Sequence, residues 1–130
     1  LMEKINQNLA CNLRVEPKDL EFYIDEKQIA QVLINLFKNA IQSTADLKEA
    51  KLSIQAGINV EGRKYIEVKD NGPGIPAEQI DEIFVPFFTT KEGGTGIGLS
   101  LSKQIMHLHG GSIRVHSEID KGTTFVLLFQ

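Results

Sequence analysis

Two asparagines, Asn35 and Asn39, bracket the segment Asn35-Leu-Phe-Lys-Asn39-Ala40. Side chains four residues apart share one face of a helix. A carboxamide oxygen is a neutral, hard donor, and Mg²⁺ takes such oxygens together with phosphate and water. Asparagine is also common on solvated helix flanks, so the pair alone decides nothing. Further along, Asp70-Asn-Gly72-Pro-Gly74-Ile75-Pro76 closes an apolar run. An aspartate at a strand end is placed to accept a hydrogen bond from an exocyclic amine such as that of adenine. Gly72 and Gly74 let the backbone approach a flat ring closely, and Pro73 and Pro76 stiffen the turn, although a plain β-turn uses the same residue types. A third segment, Gly94-Thr95-Gly96-Ile97-Gly98-Leu99, leads into a helical pattern. Backbone N–H groups at such a helix start form an anion site, to which Thr95 adds a hydroxyl. Between the second and third lies Phe84-Val-Pro-Phe87-Phe88-Thr-Thr90-Lys91. Its phenylalanines read as an apolar hinge, and Lys91 is placed to reach a terminal phosphate. In this order the four segments supply the parts of a pocket for a nucleoside triphosphate.

Other chemistries fit less well. Gly93 and Gly98 have the spacing of a phosphate-binding loop, but Leu99 stands where that loop requires lysine. A strand must precede a dinucleotide-binding glycine fingerprint, and here a loop does. Ser100 and Lys103 form Ser-x-x-Lys without its companion motifs. His107 and His109, two apart, point away from each other on a helix and suit its C-terminal dipole better than a metal. The net charge of -3 and the scattering of 14 Lys and Arg argue against a nucleic-acid partner. No apolar run approaches the ~20 residues needed to span a bilayer, and no signal peptide opens the chain, so no membrane contact by this domain is expected. Cys11 is the lone cysteine, which fits a reducing, cytoplasmic compartment.

The elements that must position these residues follow from periodicity. A length of 130 residues suggests one domain, 1–130. The opening Leu1-Met-Glu-Lys4 reads as the tail of an earlier helix; 3–11 is expected to be helical, and 1–13 a remnant of an upstream helical segment. Leu20, Phe22 and Ile24 alternate with polar residues, as in a half-buried strand. Asp25 then caps a helix, with Gln28 completing a capping box. That helix carries Ile29, Val32, Leu33, Leu36, Phe37, Ala40 and Ile41 on one stripe and should run to about Leu47. Strands are expected at 51–60, 63–69, 112–117 and 123–129, a short amphipathic helix at 77–84, a mobile loop at 85–96, and a helix from Ile97 to about His109 stopped by Gly110-Gly111. The sum is an α/β (α+β) two-layer sandwich, a mixed sheet of about five strands with three main helices on one face.

The four segments resemble the N, G1, F and G2 boxes of sensor histidine kinases, within the Bergerat-fold GHKL superfamily, over roughly residues 25–129. The resemblance implies a Bergerat ATP-binding fold with ATP and Mg²⁺ as ligands and a flexible lid over the phosphates. By position, Asn39 resembles the magnesium ligand and Asn35 its helper near the phosphates. Asp70 looks like the adenine-reading carboxylate, Gly94, Gly96 and Gly98 like the phosphate-side glycines, and Thr123 in Gly122-Thr-Thr-Phe125 like a threonine near the adenine. The implied nucleotide contacts also take in Gly72, Gly74, Ile75, Thr90, Lys91, Thr95, Ile97 and Leu99, with Asn35 and Lys91 as the catalytic pair.

Related ATPases carry glutamate where this chain has Asn35. That glutamate activates water, and a neutral amide cannot take a proton usefully. Neutral imidazole already offers a lone pair, so Asn35 favours histidine as phosphoryl acceptor. None of His107, His109 or His116 has the helical setting of the family's acceptor. The resemblance therefore implies a partner: a dimerisation and histidine-phosphotransfer domain of the same parent protein, with a response regulator downstream. The isolated domain is expected to be monomeric. An ATPase of the same superfamily acting as a conformational switch, and a non-catalytic nucleotide-sensing module, are the alternatives.

Overall fold

The computed structural model describes residues 6–88 and 97–130. Five strands form one mixed sheet in the order β1-β2-β3-β5-β4. They are β1 (Ala10–Val15), β2 (Lys51–Ile58), β3 (Lys64–Asp70), β4 (Ser112–Glu118) and β5 (Gly122–Leu128). Two α-helices, α1 (Glu26–Thr44) and α2 (Gly98–Leu108), pack on one face. β1 runs parallel to β2, and the other pairings are antiparallel. A parallel pair needs a long crossover, and α1 provides it.

The apolar stripe of α1 becomes the centre of the core. Ile29, Val32, Leu36 and Ala40 are buried against Ile105 and Met106 of α2 and against Leu52, Ile66, Val68, Phe125 and Leu127 of the sheet. The Asp25 carboxylate accepts from the Gln28 N–H at 3.1 Å, the expected half of the capping box. The reverse half does not form. The Asp25 N–H donates instead to His109 Nε2 at 3.0 Å, while His109 Nδ1 meets the Ile105 carbonyl at 2.8 Å. Since Nε2 accepts, the proton lies on Nδ1, and the imidazole ties the C-terminal end of α2 to the N-terminus of α1.

Several expectations are corrected. Residues 10 and 11, expected in a helix, open β1, which also takes residues 12 and 13 from the expected upstream helical remnant. Pairing along β2 overrides local preference there. Residues 20–24 form no strand, yet Leu20, Phe22 and Ile24 all pack on the core; Phe22 meets Phe129 edge to face, centroids 4.9 Å apart. Their alternation records burial without ladder pairing. α1 ends at Thr44 rather than Leu47, and the Thr44 hydroxyl turns back to the Ala40 carbonyl at 2.8 Å. The expected helix at 77–84 is a single 3₁₀ turn, Ala77–Gln79, followed by further turns. The described residues thus hold two α-helices, not three. No helix among them is long and apolar enough to cross a membrane.

Candidate functional site

α1 acts as a ruler for the site. Asn35, Asn39 and Ser43 follow one another at intervals of four, so they form one slowly turning row on its flank. At 1.5 Å per residue the row spans about 12 Å. Each end of it touches a different expected part of the pocket.

At the Ser43 end lies the Asp70 loop. Asp70 closes β3 and is buried, 6% exposed. Its Oδ1 accepts from the Gly72 N–H at 2.8 Å. A Cβ at Gly72 would stand 2.9 Å from the Ser43 Cβ, so glycine is what lets this loop lie against the helix. The loop is pinned on its far side too. Gly74 has φ +80°, and a Cβ there would come within 2.3 Å of the Glu118 carbonyl oxygen. The Pro73 carbonyl accepts from the Asp120 N–H at 2.8 Å, and the Ile75 N–H donates to Ser117 Oγ at 2.7 Å. Thr123, also buried, pairs across the ladder with Asp70 and with Ser117.

At the Asn35 end lies the start of α2. Asn35 Nδ2 donates to the Gly98 carbonyl at 3.3 Å, and the Ser102 hydroxyl donates to the same oxygen at 2.8 Å. A Cβ on Gly98 would sit 3.4 Å from Asn35 Cγ. Ile97 occupies the N-cap position with no side-chain cap bond, and no acidic residue follows in the first turn. A helix start of this kind suits a bound anion.

The structure therefore places Asn35 and Asn39 on one flank of α1, Ile97, Gly98 and Leu99 at the start of α2 beside Asn35, and Asp70 and Gly72 beside Ser43, with Gly74 and Ile75 further along that loop and Thr123 on β5 opposite Asp70. Thr90, Lys91, Gly94, Thr95 and Gly96 lie outside the described residues. The three phenylalanines divide: Phe84 and Phe88 pack on the core, whereas Phe87 is 75% exposed at φ 69°. The Lys103 ammonium lies 5.5 Å from the centre of the Phe84 ring, and no nucleophile is needed to explain Ser100, whose hydroxyl donates to the Ile97 carbonyl. Three residues of the site were not singled out from sequence. Ser43 and Ser117 carry no motif of their own. Gly122, with φ +130° and only 2.0 Å between a would-be Cβ and the Asp70 carbonyl oxygen, was legible only through its neighbour Thr123.

Residues 24–130 match the family model described as histidine kinase-, DNA gyrase B-, and HSP90-like ATPase. A sensor histidine kinase, ZraS of Escherichia coli (strain K12), is 45% identical over 107 residues, covering 82% of this chain and 22% of ZraS. The chain thus spans about a fifth of the length of that curated relative. Among solved structures, the nucleotide-free catalytic domain of histidine kinase ThkA superposes with a TM-score of 0.82 at 36% identity, covering 94% of this chain and 80% of that one. A second, of ThkA in complex with the response regulator TrrA, gives 0.77 at 32% identity, covering 94% of this chain and 34% of that one.

Proposed function

Given that this chain belongs to the histidine kinase-, DNA gyrase B- and HSP90-like ATPase family, as an ATP-binding catalytic domain of the sensor histidine kinase type, we propose that it binds Mg·ATP along the α1 flank and presents the γ-phosphoryl group to a histidine. The histidine belongs to a dimerisation domain of the same parent protein. The observation that carries this reading is the row Asn35–Asn39–Ser43, with Asp70 and Gly72 at one end and, at the other, the start of α2, where Ile97 makes no side-chain cap bond. Its length of about 12 Å suits a base at one end and a triphosphate at the other.

Each group has a task. Asp70 accepts from the base amine. Gly72 and Gly74 bring the loop backbone to the ring, with Ile75 beside them. The first amides of α2, from Gly98 and Leu99, meet the phosphates. By resemblance, Lys91, Thr90 and the loop residues Gly94, Thr95 and Gly96 complete the phosphate end. Asn39 fits a magnesium ligand because it is a half-buried carboxamide midway along the row. No group of three or more His, Cys, Asp or Glu among the described residues could hold a metal ion by itself. Bound there, Mg²⁺ would neutralise phosphate charge. Phosphoryl transfer asks mainly for positioning and charge neutralisation, and the chain's own part is to hold the nucleotide in line with an incoming imidazole.

Asn35 separates transfer from hydrolysis. Its amide already donates to the Gly98 carbonyl and cannot serve as a base for water. Pairing this chain with a helical hairpin domain bearing the acceptor should give acid-labile phosphorylation dependent on Mg·ATP. Rapid steady-state hydrolysis without an acceptor would point to an ATPase instead, and an absence of label in every pairing to a nucleotide-sensing module. The complex of ThkA with TrrA supports a response regulator as the onward partner. A cytoplasmic placement and a monomeric isolated domain belong to the same proposal.

A further inference from the structure

We infer that Ser117 is a positioning residue for the nucleobase: one hydroxyl couples the Asp70–Pro76 loop to Thr123, the residue opposite Asp70. The inference rests on the nucleotide reading above and extends it to a strand that contributes no motif residue.

Three contacts converge on Ser117 Oγ. The Ile75 N–H donates to it at 2.7 Å, Thr123 Oγ1 lies 2.9 Å away, and the Gly122 carbonyl lies 3.1 Å away. A hydroxyl has one proton and two lone pairs. The Ile75 N–H takes one lone pair, so two arrangements remain. Either Ser117 donates to Gly122 and accepts from Thr123, or it donates to Thr123. In the first, Thr123 offers a base only lone pairs. In the second, Thr123 keeps its own proton to donate.

Adenine presents an amine beside a ring nitrogen acceptor. With Asp70 accepting from the amine, a donating Thr123 complements the ring nitrogen. Ser117 makes that state available. It also fixes how far the loop stands from β5, because Ile75 belongs to the loop and Thr123 to β5. The rest of the loop offers little slack. Gly74 is pressed on the Glu118 carbonyl, Gly122 on the Asp70 carbonyl, and Pro73 is bonded to Asp120. A serine at 117 thus links two groups that face the base without reaching it itself.

Ser117→Val and Ser117→Thr have nearly the same shape and suit a strand equally; only threonine keeps the hydroxyl. Titration calorimetry with ATP should show the valine variant weaker on the order of tenfold, the size of one lost hydrogen bond with a stranded, partly buried partner. The threonine variant should stay within about twofold of the parent, within the scatter of a kept hydrogen bond. The valine loss should be larger for ATP than for GTP, because a merely structural defect would weaken both alike. In the parent, the Ile75 amide should exchange slowly with solvent deuterium. Equal ATP affinity of the two variants, equal losses for ATP and GTP, or a rapidly exchanging Ile75 amide would each overturn the inference. If the parent bound no ATP, the nucleotide reading would fall with it; a parent that binds ATP, loses affinity in Asp70→Asn and is indifferent to Ser117→Val would defeat this inference alone.

Discussion

Asp70→Asn changes one atom and almost no volume, which makes it a clean probe of how the base is read. The parent carboxylate is buried and accepts from the Gly72 N–H at 2.8 Å. A carboxylate has about four acceptor sites, more than the Gly72 N–H takes up. The asparagine keeps one oxygen, which can still hold Gly72. For that contact stability should change by no more than about 1 kcal/mol, the net worth of a typical hydrogen bond. Binding should suffer more. The new NH₂ group would face the amine of adenine, donor against donor. A hydrogen bond to a charged group is worth about 1.5–3 kcal/mol, so ATP affinity should fall roughly ten- to hundred-and-fifty-fold. GTP carries a carbonyl where ATP carries the amine, and the NH₂ could donate to it. The ratio of ATP to GTP affinity should then collapse by more than the ATP affinity does. Calorimetry with both nucleotides, alongside thermal unfolding, reads all three quantities. An asparagine variant that binds ATP like the parent, or that loses ATP and GTP in equal measure, would refute Asp70 as the base reader.

Asn39→Ala should abolish Mg·ATP-dependent phosphorylation of a supplied acceptor domain while leaving the thermal midpoint within a few degrees, because the side chain is only half-buried; the phosphorylation assay and an unfolding curve check it. Gly74→Ala should cost about 1–3 kcal/mol from the backbone alone, with more from the 2.3 Å approach to Glu118, measured by denaturant unfolding. Gly98→Ala should do the opposite, since among the described residues its Cβ meets Asn35 at ordinary contact distance and alanine favours a helix by up to about 1 kcal/mol; a large loss of stability there would mean the α1–α2 approach is misread. Asn35→Glu should leave steady-state ATP hydrolysis low and lower the thermal midpoint, a result that a hydrolysis assay and calorimetric melting would contradict if turnover rose sharply.

Much of this molecule could be read before its structure. The stripe from Ile29 to Ile41 fixed α1, because burial along one face of a helix imposes its period directly on the sequence. β2 and β3 were expected too, at 51–60 and 63–69, close to the observed Lys51–Ile58 and Lys64–Asp70. β1 was not, since all six of its residues are exposed and its strand character comes from pairing with residues some forty positions away. Residues 20–24 misled for the converse reason: Leu20, Phe22 and Ile24 are partly buried in a loop that lies on the core, so burial imitated a strand. In the candidate site, Asn35, Asn39 and Asp70 stood out in the sequence as polar groups in fixed order. Ser43 and Ser117 were not, because their value depends on which helix turn meets Gly72 and which strand position faces Thr123.

Residue 35 shows why the reaction class is written into packing as well as into reactivity. Its amide does two things that a carboxylate in the same place could not do together. It donates to the Gly98 carbonyl, helping to set the start of α2 against α1, and it withholds a base from any water nearby. A glutamate would turn an acceptor toward that carbonyl, leaving Ser102 as the only described side chain donating to it. The helix start would then lose part of its anchor at the end where we propose the phosphates bind. A water-activating acid would need a different contact between the two helices. On the proposed reading, the Asn35–Gly98 bond joins the choice of histidine over water to the way α1 and α2 are packed.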